Sequence, residues 1–208
     1  MTRLAFIDVE TVSVKPGPST IWELAVITRD PQDTGAGDLE YLWHIRPDLT
    51  EADPAALRIG GYYERCQAAG WAGADCRMIL CPTDDFPDEK PAPMASRQAA
   101  ATIARLLDGA HLIATNPGFD AGHLDAFLRA RHECPAWDYH LTDIGSMVRG
   151  RFAADSAGPV PLPWPLKVSD AAALAGIDPD SYEAHTALGD ARLVRDVFDA
   201  VAGQVRAA

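Results

Sequence analysis

Apolar residues in the first part of the chain follow the period of β-strands. Residues 4–9 are apolar on both faces, which predicts a strand buried in the centre of a sheet. Two further apolar runs, residues 21–28 and 39–45, follow after short connections, the first of which is the Pro- and Gly-containing loop 15–20. Because short connections join antiparallel neighbours, the three strands are predicted to form an antiparallel meander.

The second half of the chain alternates helical and strand patterns. The predicted elements are helix 96–107, strand 111–115, helix 120–132, a fifth strand near Tyr139 and a helix from about residue 186 to residue 205. Ser96 is the expected N-cap of the first of these helices, with Gly109 just beyond its end. Thr186 is the expected N-cap of the last helix.

Two segments show neither the helical nor the strand period of apolar residues. Residues 47–95 are predicted to be irregular with one or two short helices, and residues 159–166 are too rich in proline for regular structure. Three strands followed by alternating helices and strands predict an α/β fold, with a five-stranded mixed sheet flanked by helices. Residues 1–208 contain no internal repeat and are predicted to form a single domain.

Composition and charge argue against some classes of function. The net charge of −12 at pH 7 argues against a broad basic face that grips long duplex DNA. It is compatible with a nuclease whose cations neutralise phosphate locally. The four cysteines form no CxxC pair, which favours free thiols in a reducing compartment. Since the sequence shows neither a signal-peptide pattern nor an apolar run of membrane-spanning length, we expect a cytoplasmic protein that does not act at a membrane.

Two carboxylates leave one face of the first strand near its end. Asp8 and Glu10 are two residues apart, so a strand directs both side chains to the same side of the sheet. Such a pair supplies oxygen ligands for a divalent cation. The alternative is a strand that runs out into solvent, which is common for an isolated DxE sequence.

Two more carboxylates begin the apolar faces of predicted helices. Asp120 leads the apolar stripe of its helix, and Asp190 leads a stripe of valines. A carboxylate directed at a core needs a partner or a cation, because burial of an unpaired charge is costly. The alternatives are that the helix dipole favours Asp120 at an N-terminus, and that Asp190 forms an ion pair with Arg192 or Arg195.

A histidine lies five residues before the last of these carboxylates. On one continuous helix that spacing corresponds to about 140° of rotation, so His185 and Asp190 would not share a face. We therefore place His185 on the turn before the helix, where it could act as a general base beside an acidic metal site. The alternative is a solvated surface histidine.

Three segments carry these residues in order. They are FIDVET with the following IWELAVI, ATNPGFDAGHLDAFL with Asn116 four residues before Asp120, and HTALGDARLV. In order and spacing they resemble the DEDDh family of 3′→5′ exonucleases, which has a ribonuclease H-like fold. The spacing of His185 and Asp190 is that of the family's His subclass. TNPGFD replaces the more usual HNAxFD, and residues 57–95 carry no family signal, which affects the substrate pocket more than the chemistry.

The resemblance implies a two-metal site with a histidine base. Two Mg²⁺ or Mn²⁺ ions would lie about 3.5–4 Å apart. Asp8 would bridge both ions, Glu10 and Asp190 would complete the site of the attacking water, and Asp120 would serve the second ion. His185 would take the proton from that water.

The resemblance also implies a substrate and the residues that touch it. Thr11, Asn116 and Phe119 would border the terminal nucleotide. The substrate would be the 3′ end of single-stranded DNA or RNA, the product a nucleoside 5′-monophosphate, and a polymerase or another replication or repair protein is a candidate partner. A second hypothesis is a non-catalytic ribonuclease H-like module that binds such a partner, although a degenerate module would be expected to lose at least one ligand.

Overall fold

The structure is a computed structural model, and it describes most of the chain. The described residues are 2–32, 37–50, 52–65, 75–80, 92–155 and 162–203. Among them, no helix combines the length and the apolar character needed to cross a bilayer.

Strands and helices alternate along the second half of the chain, as the sequence predicts. The strands are β1 (Leu4–Thr11), β2 (Ile21–Arg29), β3 (Leu39–Ile45), β4 (Cys76–Leu80), β5 (Ala92–Met94), β6 (His111–Ala114) and β7 (Thr142–Asp143). The helices are α1 (Pro54–Ile59), α2 (Tyr62–Arg65), α3 (Ser96–Leu107), α4 (Pro117–Arg129), α5 (Ile144–Asp155), α6 (Val168–Leu174) and α7 (Ala187–Ala202), with a short 3₁₀ helix at Pro179–Ser181.

The described strands form one mixed sheet in the order β5-β4-β3-β2-β1-β6-β7. Pairings from β1 to β5 are antiparallel, whereas β6 runs parallel to β1 and β7 parallel to β6. This confirms the mixed α/β sheet and the meander of the first three strands. It also confirms that β1 is central, since it pairs on both edges.

The predicted number of strands was wrong, because the described sheet has seven strands instead of five. The two additional strands, β4 and β5, lie in the segment expected to be irregular. β5 has three residues and includes Pro93, which gives it no strand period and no amide proton at that position. It nevertheless pairs at the outer edge of β4, where a proline is tolerated.

Several element boundaries differ from the predicted ones. The N-cap of α3 is Ala95 and not Ser96, and no side chain caps it. The helix predicted from residue 120 begins at Pro117, because proline is well accommodated in a first helical turn. The fifth predicted strand lies at β7, just after Tyr139. Thr186 is the N-cap of α7 as predicted, and its hydroxyl oxygen accepts a hydrogen bond of 3.0 Å from the Gly189 amide.

Helices cover both faces of the sheet and produce two cores. On one face, Ala5, Ile7 and Val9 of β1 pack with α3 and α4. On the other face, Phe6 packs with α5, α6 and α7. Because side chains alternate along a strand, Asp8 lies on the same face as Phe6, which is the face that α7 covers. Residues 162–166 form a loop as predicted, while residues 156–161 lie outside the described residues.

Candidate metal centre at the end of the first strand

Three carboxylates from two elements meet at the end of β1. The ligand oxygens of Asp8, Glu10 and Asp190 all lie within 4.8 Å of one another. The two-residue period of the strand directs Asp8 and Glu10 to the face that α7 covers. Asp190 lies in the first turn of α7 and meets them there. Periodicity on the two elements therefore accounts for the meeting of all three side chains.

The arginines considered as partners of Asp190 bind elsewhere. Arg192 donates to one oxygen of Glu40 at 3.0 Å, and Arg195 donates to the other at 2.7 Å. Both arginines thus hold α7 against β3. The alternative reading of Asp190 as part of an ion pair with these residues was wrong.

Burial and mutual repulsion disfavour the ionised form of this group. Burial, and then the charges of Asp120 and Asp190, raise the pKa of Asp8 well above its ordinary value. Burial, followed by the charge of Glu23, raises the pKa of Glu10 to about 8. Burial also raises the pKa of Asp190. A bound cation would relieve all three effects, since it supplies the missing counter-charge.

Asp120 reaches the site from the other face of the sheet. It lies in the first turn of α4, is only 2% exposed, and accepts a hydrogen bond of 3.1 Å from the Val9 amide. Burial raises its pKa to about 8. Asp120 lies outside the three-carboxylate group, but its charge is close enough to raise the pKa of Asp8. The structure therefore brings three of the predicted carboxylates into one group and places Asp120 close to Asp8.

His185 lies on the turn before α7, as the spacing predicted. Its side chain is exposed, and its backbone has φ of +59°, in the left-handed region. The turn is tight, because a Cβ added at Gly189 would come within 2.2 Å of the Glu183 carbonyl oxygen. A non-glycine residue persists in this conformation only when its surroundings hold it there.

The sequence analysis missed Glu23, the third residue of IWELAVI. Glu23 is directly opposite Glu10 in the β1–β2 register and is 2% exposed. Its oxygens accept hydrogen bonds from the Arg65 guanidinium, the His44 ring and the Ala187 amide. Burial alone would raise the pKa of Glu23, but these hydrogen bonds lower it overall. A glutamate within an otherwise apolar strand was the signal that could have revealed it.

The three residues predicted to touch substrate lie on segments that lead to the carboxylates. The Thr11 hydroxyl donates to the Ser13 carbonyl at 2.9 Å. Asn116 is exposed with φ of +54° at the start of α4. Phe119 is half-buried, with its ring centroid 4.5 Å from that of His123. Their contacts with a nucleotide stay a prediction.

The carboxyl group of Glu10 is held against the end of α1. A Cβ at Gly60 would lie 2.8 Å from Oε2 of Glu10 and 2.9 Å from Cζ2 of Trp22. Because Trp22 is fully buried, the carboxyl group of Glu10 is the part that can move. Glycine at position 60 therefore sets the position of a candidate ligand.

Gly60→Ala is expected to displace the Glu10 carboxylate and to lower any metal-dependent turnover by about 10- to 100-fold. The measurement is turnover together with Mn²⁺ affinity for the purified variant. Gly150→Ala is the matched control, since a Cβ there meets nothing within 4 Å. Equal turnover in both variants would contradict this role of Gly60.

An all-carboxylate donor set fits a hard divalent cation. Ligand oxygens supplied only by aspartate and glutamate are typical of Mg²⁺ and Mn²⁺ sites and atypical of structural zinc sites. The raised pKa values of Asp8, Glu10 and Asp190 also favour a cation site, because a cation would stabilise their ionised forms. In the part of the chain that the structure describes, Asp8, Glu10 and Asp190 are thus the residues best placed to hold such an ion.

Comparison with known structures finds the same fold in exonuclease I. A product-bound structure of exonuclease I has a TM-score of 0.66 at 15% identity, over 98% of this chain and 44% of that chain. E. coli exonuclease I in complex with a dA16 oligonucleotide has a TM-score of 0.65 at 16% identity, over 98% and 41%. A zinc-bound E. coli exonuclease I–ssDNA complex has a TM-score of 0.66 at 16% identity, over the same shares.

These similarities show the fold. The chain spans less than half the length of the exonuclease I structures it matches. No protein-family model and no curated protein matched the sequence.

Proposed function

We propose that this chain is a metal-dependent 3′→5′ exonuclease of the DEDDh type, acting on single-stranded ends. The observation that carries the proposal is the meeting of Asp8, Glu10 and Asp190 within 4.8 Å, next to a turn that presents His185. The likeness in fold to exonuclease I supports the same reaction class.

The proposed roles follow from the positions of the side chains. Asp8, Glu10 and Asp190 would hold one divalent cation, and Asp8 with Asp120 a second. Bound Mg²⁺ or Mn²⁺ would supply Lewis acidity and neutralise charge on the phosphate. The protein contributes geometry, because the ligands come from a central strand and from two helices that are packed on opposite faces of the sheet.

His185 is proposed to act as the general base. Its side chain is exposed, and its charge opposes the effect of burial on the pKa of Asp190, so it lies close to the carboxylates. From there it would accept a proton from the attacking water and so favour attack on the terminal phosphodiester. The leaving group is the 3′ oxygen of the preceding nucleotide, and the product is a nucleoside 5′-monophosphate. Thr11, Asn116 and Phe119 are proposed to border the terminal nucleotide.

Single-stranded DNA is the preferred candidate substrate. Exonuclease I has been solved with single-stranded DNA oligonucleotides, and this chain shares its fold. A net charge of −12 fits a short contact with a flexible end better than an extended grip on a duplex. RNA remains an outcome of the same experiment.

The test uses 5′-labelled single-stranded DNA and RNA of one sequence, with Mg²⁺, Mn²⁺ or EDTA. We expect a metal-dependent ladder that shortens from the 3′ end. His185→Ala is expected to reduce the rate by about 10²- to 10⁴-fold, the usual contribution of a general base. His140→Ala is the control, since His140 is an exposed histidine that bonds Asp138.

Two results would overturn the proposal. One is the absence of cleavage of either strand by folded protein with metal present, which would favour the non-catalytic module that binds a polymerase or similar partner. The other is cleavage that persists unchanged in EDTA, which would exclude a metal-dependent reaction.

A further inference from the structure

Arg65, the last residue of α2, joins three separate parts of the fold. Its Nη2 donates to both carboxylate oxygens of Glu23 at 2.5 Å. Its Nη1 donates to the carbonyl oxygens of His185 at 2.6 Å and Gly60 at 3.0 Å. The guanidinium also lies over the Trp22 ring, 4.9 Å from its centroid. One side chain thus contacts β2, the end of α1 and the turn before α7.

Glu23 extends this contact into α7. Oε2 of Glu23 accepts a hydrogen bond of 2.7 Å from the Ala187 amide, in the first turn of that helix. Because Glu23 is 2% exposed and has several donors, its carboxylate is fixed in place. Arg65 and Glu23 together therefore hold the backbone on both sides of Thr186.

The backbone that they hold is conformationally costly. His185 has φ of +59°, which a non-glycine residue adopts only under constraint. Its carbonyl is bound by Arg65, and the amide two residues later is bound by Glu23. These two contacts fix the backbone of the turn, and so they fix the point from which the His185 side chain leaves it.

We propose that Arg65 is a positioning residue for His185. Its guanidinium donates hydrogen bonds to the Glu23 carboxylate and to the His185 carbonyl, and these bonds hold the turn that presents the general base. The proposal rests on the proposed function. It assigns to the segment of α1 and α2, which carries no recognisable motif, the task of supporting the catalytic turn.

A direct role of Arg65 in phosphate binding fits the geometry less well. Both terminal nitrogens already donate to protein acceptors, and the guanidinium is packed over Trp22. An arginine that binds a phosphate needs free, suitably directed donors. Loss of Arg65 should therefore change kcat and leave KM nearly unchanged.

Arg65→Ala is expected to lower kcat by about 10- to 100-fold, the range that misplacement of a reacting group produces. In a His185→Ala background the same change should cost less than about 3-fold, because there is no base left to position. An equal loss in both backgrounds would show that Arg65 acts on the carboxylates or the substrate directly, and would overturn the proposal.

Arg65→Lys distinguishes the effect of the positive charge from that of the paired hydrogen-bond donors of the guanidinium. Lysine keeps the positive charge near Glu23 but cannot reproduce the planar pair of donors. We expect it to restore less than a tenth of the kcat lost in Arg65→Ala. Full restoration would show that charge alone is needed. Arg58→Ala is the control, because Arg58 is exposed and donates to the Pro54 carbonyl of its own helix.

Amide hydrogen exchange tests the same contact without any substrate. In Arg65→Lys and Arg65→Ala, the segment that contains Ala187 should exchange at least about 10-fold faster than in the wild type, while β1 keeps its protection. If wild-type protein shows no nuclease activity but this exchange pattern is found, the proposed function fails and the positioning of the turn stands. Unchanged exchange at Ala187 in the folded Arg65→Lys protein would overturn the positioning itself.

Discussion

Asp8→Asn is expected to remove nuclease turnover and, at the same time, to stabilise the metal-free protein. Asp8 is the carboxylate on which four others act: burial raises its pKa most, and the charges of Asp120, Asp190, Glu10 and Glu23 raise it further. An uncharged amide of nearly the same shape relieves that repulsion but is a poor ligand for Mg²⁺. The loss of turnover should exceed about 10³-fold, as for a central catalytic group.

The measurement pairs a mononucleotide-release assay with thermal unfolding in EDTA. Asp125→Asn is the control, because Asp125 is a partly exposed aspartate of α4 that pairs with Arg129 four residues later. That variant should keep both its activity and its melting temperature. A lower melting temperature for Asp8→Asn in EDTA would contradict the repulsive arrangement, and full activity would contradict the proposed function.

Binding of Mn²⁺ is expected to tighten steeply as the pH rises toward 8. The pKa values of Glu10 and Asp120 are each raised to about 8, so both groups hold a proton in the metal-free fold at neutral pH. Each proton that a cation displaces makes the apparent affinity rise about tenfold per pH unit below the pKa. With two such groups, the rise between about pH 6 and pH 7.5 should reach about 10- to 100-fold per unit.

The same shifts determine how the metal-free protein responds to pH. Because the folded pKa values of Glu10 and Asp120 lie above the unfolded ones, their contribution is complete below about pH 4 and is lost as the pH rises through about 8. Metal-free protein should therefore lose stability over that window, while protein saturated with Mn²⁺ should not.

Titration calorimetry in buffers of different ionisation enthalpy counts the protons released on binding. Asp120→Asn should release about one proton fewer than the wild type. A Mn²⁺ affinity that does not change with pH would contradict the assignment of these two groups as the ones that the cation deprotonates.

The group of three carboxylates was predictable because it depends only on local periods. A strand period of two puts Asp8 and Glu10 on one face, and the helical period puts Asp190 on the side of α7 that packs against the sheet. The five-residue spacing likewise placed His185 outside the helix. None of these conclusions needed to know which strand lies next to which.

The parts that were missed depend on packing between distant segments. Whether α4 covers the same face as α7 is a matter of topology, so the approach of Asp120 from the opposite face could not be inferred from its position in a helix. The pairing of Glu23 with Glu10 requires the register of two strands. Arg65 belongs to a four-residue helix whose sequence has no period at all. Strand β5 was missed for the same reason, since three residues with one proline give no pattern.

The group of three carboxylates joins residues far apart in the sequence, with Asp8 in β1 and Asp190 in α7. A ribosome that has synthesised the chain only as far as α6 has therefore produced the strand ligands but neither Asp190 nor His185. The α7 helix must also emerge and dock against β1 and β2 before the ligands meet, and this contact closes a long loop, which costs more conformational entropy than a local contact. If the proposed function holds, a nascent or truncated chain that stops before α7 would therefore be unable to cleave nearby nucleic acid, because it lacks Asp190 and His185.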